Sequence, residues 1–473
     1  MRSKFEKFGL IGSGVLIGVL ISLNLSALAD KPVLPQLPID DLRVFAEVFS
    51  KVKTDYVEPV EDKKLINEAL TGMLAGLDPH STFMDADAYK DLQAGTQGEF
   101  GGLGIEVAME DGLVKVVSPI EDSPAYKAGL KPGDLIMKLD DTQVRGLSLN
   151  DAVKKMRGAP DTKIVLTVLR KSEPKPLTFS LVRAIIKSQS VKNKYIEKDY
   201  GYVRITQFQE HTGEDLAKAL KSLHDQNKGP FKGLVLDLRN NPGGLLDSAV
   251  GVSAAFLPKD NLVVYTEGRA PDSKMQLSAT PQDYARRGRG DYLKDLPADY
   301  KKVPMVVLVN AGSASASEIV AGALQDHKRA TILGIQSFGK GSVQTILPMN
   351  NGSAIKLTTA RYFTPNGRSI QAKGIVPDIT VEDGFDQSNN IHEADLSRHL
   401  SNPKDADANK PADVSDAAKE ATRKSNEKKY AEQKGPIEPA TKDDIQFVQA
   451  MNVLKGLPVQ KTPETKTDTV KTN

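Results

Sequence analysis

The stretch that decides the fold is Val303 to Gln344. From Val303 to Leu324 it reads V-P-M-V-V-L-V-N-A-G-S-A-S-A-S-E-I-V-A-G-A-L, and from Leu333 to Gln344 it reads L-G-I-Q-S-F-G-K-G-S-V-Q. The β-branched and apolar run Val303 to Val309 has the composition and length of a buried strand. Asn310, Ala311 and Gly312 then turn the chain into alternating serines and alanines. From Glu318 onward Ile319, Val320, Ala323 and Leu324 take helical spacing. The serines therefore fall at a strand-to-helix turn, where free backbone N–H groups meet the positive end of the helix dipole. An acyl-transfer nucleophile and its oxyanion donors belong at such a turn. So does a plain helix cap, because Ser315-Ala316-Ser317-Glu318 also fits the S-x-x-E capping box. Local pattern leaves both readings open. Lys340 bears on the choice: between Gly339 and Gly341 it is open to close packing by neighbouring backbone, and a desolvated ammonium gives up its proton more readily.

Together the two segments resemble the C-terminal processing peptidases, also called tail-specific proteases. The nucleophile of that family lies in a small-residue turn like G-S-A-S-A-S-E, and its general-base lysine in a segment like F-G-K-G-x-V-Q. Ser315 and Lys340 stand twenty-five positions apart, the family's separation, which selects Ser315 over Ser313 and Ser317. Gln344 matches the glutamine that orients the lysine. The resemblance covers about Leu42 to Asp383. It implies an α/β fold with a crotonase-like spiral β-β-α protease core, an inserted PDZ domain and an N-terminal helical region. It also implies a serine-type carboxyl-terminal processing endopeptidase using a Ser/Lys dyad, without cofactor or metal.

Around this stretch the pattern alternates. Tyr202 to Ile205 reads as a strand, Glu214 to Leu223 as a helix, Gly233 to Leu238 as a strand and Asp247 to Ala255 as a helix, which makes 188–400 a layered α/β core. Asp237-Leu-Arg-Asn-Asn-Pro-Gly-Gly244 ends a strand in a turn with exposed amides; alone, N-P-G-G is an ordinary turn. In the resembled family an amide of this loop joins the amide after the nucleophile to hold the oxyanion, which implies Gly243 or Gly244, together with Ala316. The polar run Glu267 to Asp299, with Arg286, Arg287 and Arg289, reads as solvated surface. Thr358 to Phe363 is a further strand, and Gly374 to Asp378 closes the core.

Residues 98–187 carry Phe100-Gly-Gly-Leu-Gly-Ile105, Ala128-Gly-Leu-Lys-Pro-Gly-Asp134 and a helix near Leu149 to Arg157. This unit resembles a PDZ domain. Gly101, Gly102, Leu103, Gly104 and Ile105 form the loop expected to receive a peptide's terminal carboxylate while the peptide adds a strand to the sheet. Arg170, ending the last PDZ strand, is the candidate for relaying occupancy to the catalytic site.

Residues 30–97 show helical stripes at Leu42 to Val52 and Leu65 to Leu74, a possible dimerisation surface. Asp78-Pro79-His80-Ser81 breaks between helices, and His80 there reads as a turn residue. Residues 1–29 read as a signal peptide: basic Arg2, Lys4 and Lys7, an apolar run from Phe8 to Leu25, and Ala27-Leu-Ala29 before Asp30. The run approaches a membrane span in length, so the alternative is an uncleaved anchor; both readings export the rest of the chain, to the periplasm in the expected case. Residues 401–437 read as a flexible linker, Asp443 to Leu457 as a helix available to another subunit, and the chain from Thr462 as a disordered end.

Composition mainly excludes. In 473 residues, 63 basic side chains against 61 acidic ones give no field favouring nucleic acid, and the absence of cysteine rules out thiol chemistry. His80, His211, His224, His327, His392 and His399 lie in no Ser-His-Asp phrase and no metal-binding spacing. The resemblance implies as partners protein substrates with apolar C-terminal tails, envelope or cell-wall enzymes among them; an adaptor protein and further copies of the chain are also expected. The alternative function is a non-catalytic PDZ peptide-binding or chaperone-like envelope protein.

Overall fold

The computed structural model describes residues 37–120, 122–286, 290–382, 390–404 and 438–460. The expected signal peptide, Arg287 and Arg289, residues 405–437 of the expected linker and the chain end from 461 lie outside the described residues. The chain divides into two units, 1–68 and 69–473. In the first, helix α1 (Ile39–Asp55) buries none of its residues, and Leu42, Phe45 and Val48 stand exposed. Helix α2 (Asp62–Ala75) follows, then the turn through Asp78 and Ser81 and the short strand β1 (Thr82–Met84). Asp85 caps α3 (Ala86–Gln97) by accepting from the Ala88 amide.

Strand β2 (Glu99–Gly102) pairs antiparallel with a strand far along the chain, Ala184–Lys187, so a two-stranded neck closes the PDZ insertion. Within it β3 (Ile105–Glu110), β4 (Leu113–Pro119), β5 (Leu135–Leu139), helix α4 (Leu149–Met156), β6 (Lys163–Leu169) and β7 (Leu177–Val182) enclose a separate core of Val114, Val116, Ile136, Leu166 and Val168. The sheet order is β3-β4-β5-β6-β7, which leaves β3 at an edge.

After the neck strand β8 (Ala184–Lys187) come β9 (Val191–Glu197), β10 (Tyr200–Ile205), α5 (Thr212–Asn227), β11 (Gly233–Asp237), α6 (Leu246–Phe256), β12 (Leu262–Gly268) and β13 (Gln276–Ser278). Then follow β14 (Met305–Val309), α7 (Ala316–Asp326), β15 (Thr331–Gly334), β16 (Ser342–Pro348), β17 (Ala354–Phe363), β18 (Ile379–Thr380) and α8 (Ile445–Lys455). One sheet runs β9-β10-β11-β14-β15-β18 and is parallel from β10 onward. A second holds β1, β17, β12 and β13 in that order, with β16 also on β17. This is the α/β architecture expected, with its PDZ insertion.

The continuous apolar run of β14 has a direct cause. Val307 and Val309 enter the core shared with α5, α6 and α7, while Val306 and Leu308 face the cluster containing Phe447, Ala450 and Met451 of α8. A strand covered on both faces has no polar side, and each fully buried Val or Leu contributes about 1.5–3 kcal/mol. Two expectations are corrected here. The terminal helix does not wait for another subunit: it covers the outer face of its own sheet, because that face is apolar. Nor is 267–299 a solvated run. Ala279 and Tyr284 are buried, and the Tyr292 ring wedges so close to Gly213 and Gly251 that a Cβ on either would overlap its hydroxyl. The linker's first residues also pack, since Asn402 donates to the Gln371 carbonyl at 2.8 Å.

Candidate active site

The site begins where β14 ends. Ser315 precedes the first residue of α7 with φ 55° and ψ −112°, a conformation that costs a non-glycine residue about 1–3 kcal/mol. The three serines of the turn differ sharply. Ser313 is fully buried, its hydroxyl donating to the Leu238 carbonyl at 2.9 Å and accepting from the Asn310 amide. Ser317 is fully buried too and donates to the Asn241 carbonyl at 2.9 Å. Only Ser315 is partly exposed.

Glu318 holds the turn. Its Oε2 accepts from the Ser315 amide at 2.7 Å, as a capping box requires, and also from the Lys340 amide at 3.0 Å. Its Oε1 accepts from the Gly339 amide at 2.7 Å and the Ser337 hydroxyl at 2.6 Å. One carboxylate thus pins the serine turn to the lysine loop. Full burial pushes its pKa up to about 7, while the four donors favour the charged form. The cap reading and the catalytic reading are therefore compatible: Glu318 caps the helix, and Ser315 is left partly exposed.

Lys340 donates from Nζ to Gln344 Oε1. Burial lowers its pKa to about 8, and the Lys356 charge acts the same way against Glu393, Glu318 and Asp78. Gln344 lies opposite Thr358 in the β16–β17 pair and donates from Nε2 to Thr358 Oγ1 at 3.1 Å and Ser342 Oγ at 3.0 Å. The glycines beside the lysine permit close approach: a Cβ on Gly341 would stand 2.5 Å from the Gln371 amide nitrogen. The Tyr362 phenol donates to the Lys340 carbonyl. His80 pairs through Nε2 with the buried Glu393 at 2.8 Å, and Glu393 also receives the Gln371 amide, so His80 belongs to the scaffold behind the lysine loop.

The N-P-G-G turn lies against the serine. A Cβ on Gly243, at φ 98°, would fall 2.8 Å from Ser315 Cβ and 2.9 Å from the Ala316 nitrogen. The Gly243 amide donates to Asn241 Oδ1 at 2.9 Å. No described residue accepts from the amides of Gly244 or Ala316.

In the PDZ unit, Gly101 and Gly102 end the neck strand, Leu103 is buried in the PDZ core, Gly104 turns with φ 73° and Ile105 opens edge strand β3. Arg170 follows β6 and not, as expected, the last PDZ strand, since β7 comes after it; it grips buried Asp134 with two bonds of 2.8 Å and donates to the Gly129 carbonyl at 2.9 Å. Burial would raise the Asp134 pKa, but the guanidinium holds it below its ordinary value. Among the described residues no three His, Asp or Glu side chains are placed to hold a metal ion.

Comparison with known proteins agrees with this architecture. The model of peptidase family S41 matches residues 199–381, that of the PDZ domain 101–181, and that of the N-terminal domain of the activating protease CtpB 26–88. A carboxy-terminal-processing protease of Bartonella bacilliformis is 48% identical over 402 residues, 82% of this chain and 88% of that one. The carboxy-terminal processing protease CtpB of Bacillus subtilis is 37% identical, over 78% and 75% of the two chains. Among solved structures, the photosystem II D1 C-terminal processing protease is 31% identical over 72% of this chain and 86% of that chain, with a TM-score of 0.40. The family models and the two carboxy-terminal processing proteases define a serine-type peptidase carrying a PDZ domain. The chain belongs to the C-terminal processing peptidases of family S41.

Sequence reasoning missed four groups that meet here: Asp78, Lys356, Thr358 and Tyr362. Each is far from Ser315 in the chain, and only the D-P-H-S phrase carried a local signal, read there as a turn.

Proposed function

We propose that the chain is an exported serine endopeptidase that cuts proteins near apolar C-terminal tails by a Ser-Lys dyad. Neutral Lys340 takes the proton of Ser315, whose oxygen attacks the scissile carbonyl. Lys340 then returns the proton to the leaving amine, and water releases the acyl group. Gln344 fixes the amine. The Ala316 and Gly244 amides hold the oxyanion; Gly243 is the weaker choice because its amide is already given to Asn241. The observation that carries the reading is Glu318 Oε2, which accepts from the backbone amides of both Ser315 and Lys340. A lysine pKa lowered to about 8 supports it.

The PDZ loop Gly101 to Ile105 takes the tail's carboxylate, and the tail extends the sheet along edge strand β3. Arg170 is the candidate to relay that occupancy. The exposed apolar stripe of α1 is offered to a second copy of the chain. The N-terminal segment directs the enzyme to the periplasm, where envelope or cell-wall enzymes, delivered with or without an adaptor, are its substrates. The test compares digestion of a tailed peptide by the wild-type chain and by Ser315→Ala. Loss of cleavage with retained peptide binding is expected; equal digestion by both overturns the dyad and leaves a peptide-binding protein.

A further inference from the structure

Asp78 is 4% exposed in a turn that sequence reading left structural. Its Oδ1 accepts from the amides of His80 at 2.9 Å and Ser81 at 3.0 Å and from the Thr358 hydroxyl at 3.0 Å. Its Oδ2 accepts from the Ser81 hydroxyl at 2.7 Å, and that hydroxyl receives the Thr358 amide at 3.1 Å. Thr358 in turn accepts from Gln344 Nε2 at 3.1 Å, and Gln344 Oε1 receives the Lys340 amine. An unbroken chain of hydrogen bonds therefore joins the Asp78 carboxylate to Lys340.

The chain has a direction. An ionised carboxylate only accepts, and a threonine hydroxyl has a single proton. With that proton committed to Asp78, Thr358 Oγ1 can only accept from Gln344. The glutamine must then aim its NH2 at Thr358 and its oxygen at the lysine. The reverse amide orientation would set an oxygen against Thr358, which has no proton left to give, and turn an NH2 toward the amine, against the ammonium's protons or onto the lone pair that must face Ser315.

We propose that Asp78 is a positioning residue for Lys340, setting through Thr358 which end of the Gln344 amide meets the amine. The proposal rests on the Ser315–Lys340 reading above. Asp78 acts on the amine electrostatically as well. Of the charged groups facing Lys340, Glu393, Glu318 and Asp78 favour the ammonium and Lys356 opposes it; His80 sits on Glu393, and the Tyr362 phenol is bound to the Lys340 carbonyl.

Two substitutions separate these effects. Asp78→Asn keeps an oxygen for Thr358 and the two amides and removes the charge, its NH2 turning to the Ser81 oxygen that Oδ2 had faced, so the acid limb of kcat/KM moves to lower pH. The Lys340 side-chain resonance in lysine-labelled Ser315→Ala protein titrates lower in the same direction. Thr358→Val cuts the chain and lowers kcat about tenfold or more with little change in KM, and Thr358→Ser restores it. A wild-type kcat in Thr358→Val, a failure of serine to restore it, or an unmoved limb in Asp78→Asn overturns the proposal. Lys340→Ala distinguishes the two levels. If it stays active, the dyad itself is wrong; if it is inactive while Asp78→Asn and Thr358→Val match wild type, only the role of Asp78 falls.

Discussion

Removing the charge of Lys356 should move the enzyme's pH dependence in the alkaline direction. The Lys340 amine is lowered from 10.5 to about 8, first by burial and next by Lys356. The lowering is worth about 3 kcal/mol, at about 1.4 kcal/mol per pKa unit. At pH 7 it leaves about one lysine in ten neutral, against about one in three thousand for an ordinary lysine, a gain of about 300-fold in competent base. Glu318 is also raised, to about 7, so the response of the limb to Lys356→Gln is what assigns it to the lysine. Lys356→Gln removes a like charge, so the Lys340 pKa rises and less amine is neutral at any given pH below it. The assay is kcat/KM for a tailed peptide across the pH range, because that ratio reports the free enzyme. Wild type should gain activity through about pH 8, and the variant at a higher pH. A flat wild-type profile well below neutrality refutes lysine as base, and coincident limbs refute the role of Lys356. The same shift has a stability counterpart. The unfolded amine holds its proton to pH 10.5 while the folded one releases it above about 8, so stability should rise with pH across that window.

Two further outcomes follow from packing. Gly243→Ala places a methyl 2.8 Å from Ser315 Cβ and the Ala314 carbonyl oxygen at a φ of 98°; kcat should fall about 100-fold, the scale of a lost oxyanion donor, while circular dichroism shows a folded chain. A variant retaining half its activity would dismiss that turn from the site. Asp444→Ala strips two bonds of 2.7 and 2.8 Å from the buried Arg239, which keeps Asp237 at 2.6 Å, and removes the cap of α8; urea unfolding should show a loss of about 2–3 kcal/mol. A change within 0.5 kcal/mol, about the level of a surface substitution, would mean the helix is not latched there.

What the sequence determined by itself is what short-range pattern encodes. The run ending at Val309, the small-residue turn and the helix after Ser315 are contiguous, so strand, turn and helix were legible, as were the PDZ glycines and the N-P-G-G turn that ends Asp237 to Gly244. The spacing of Ser315 and Lys340 was legible through resemblance. Tertiary structure alone decided the rest, because a buried charge is satisfied by whatever the fold brings near it. Glu318 looked like a cap partner, yet three of its four donors come from the lysine loop. Gly243 and Gly244 were indistinguishable until Asn241 was seen to occupy one amide. The terminal helix looked available to a partner until its apolar residues met the back of its own sheet, and Asp78 looked like a turn residue until a strand more than 270 positions away in the chain delivered Thr358 to it.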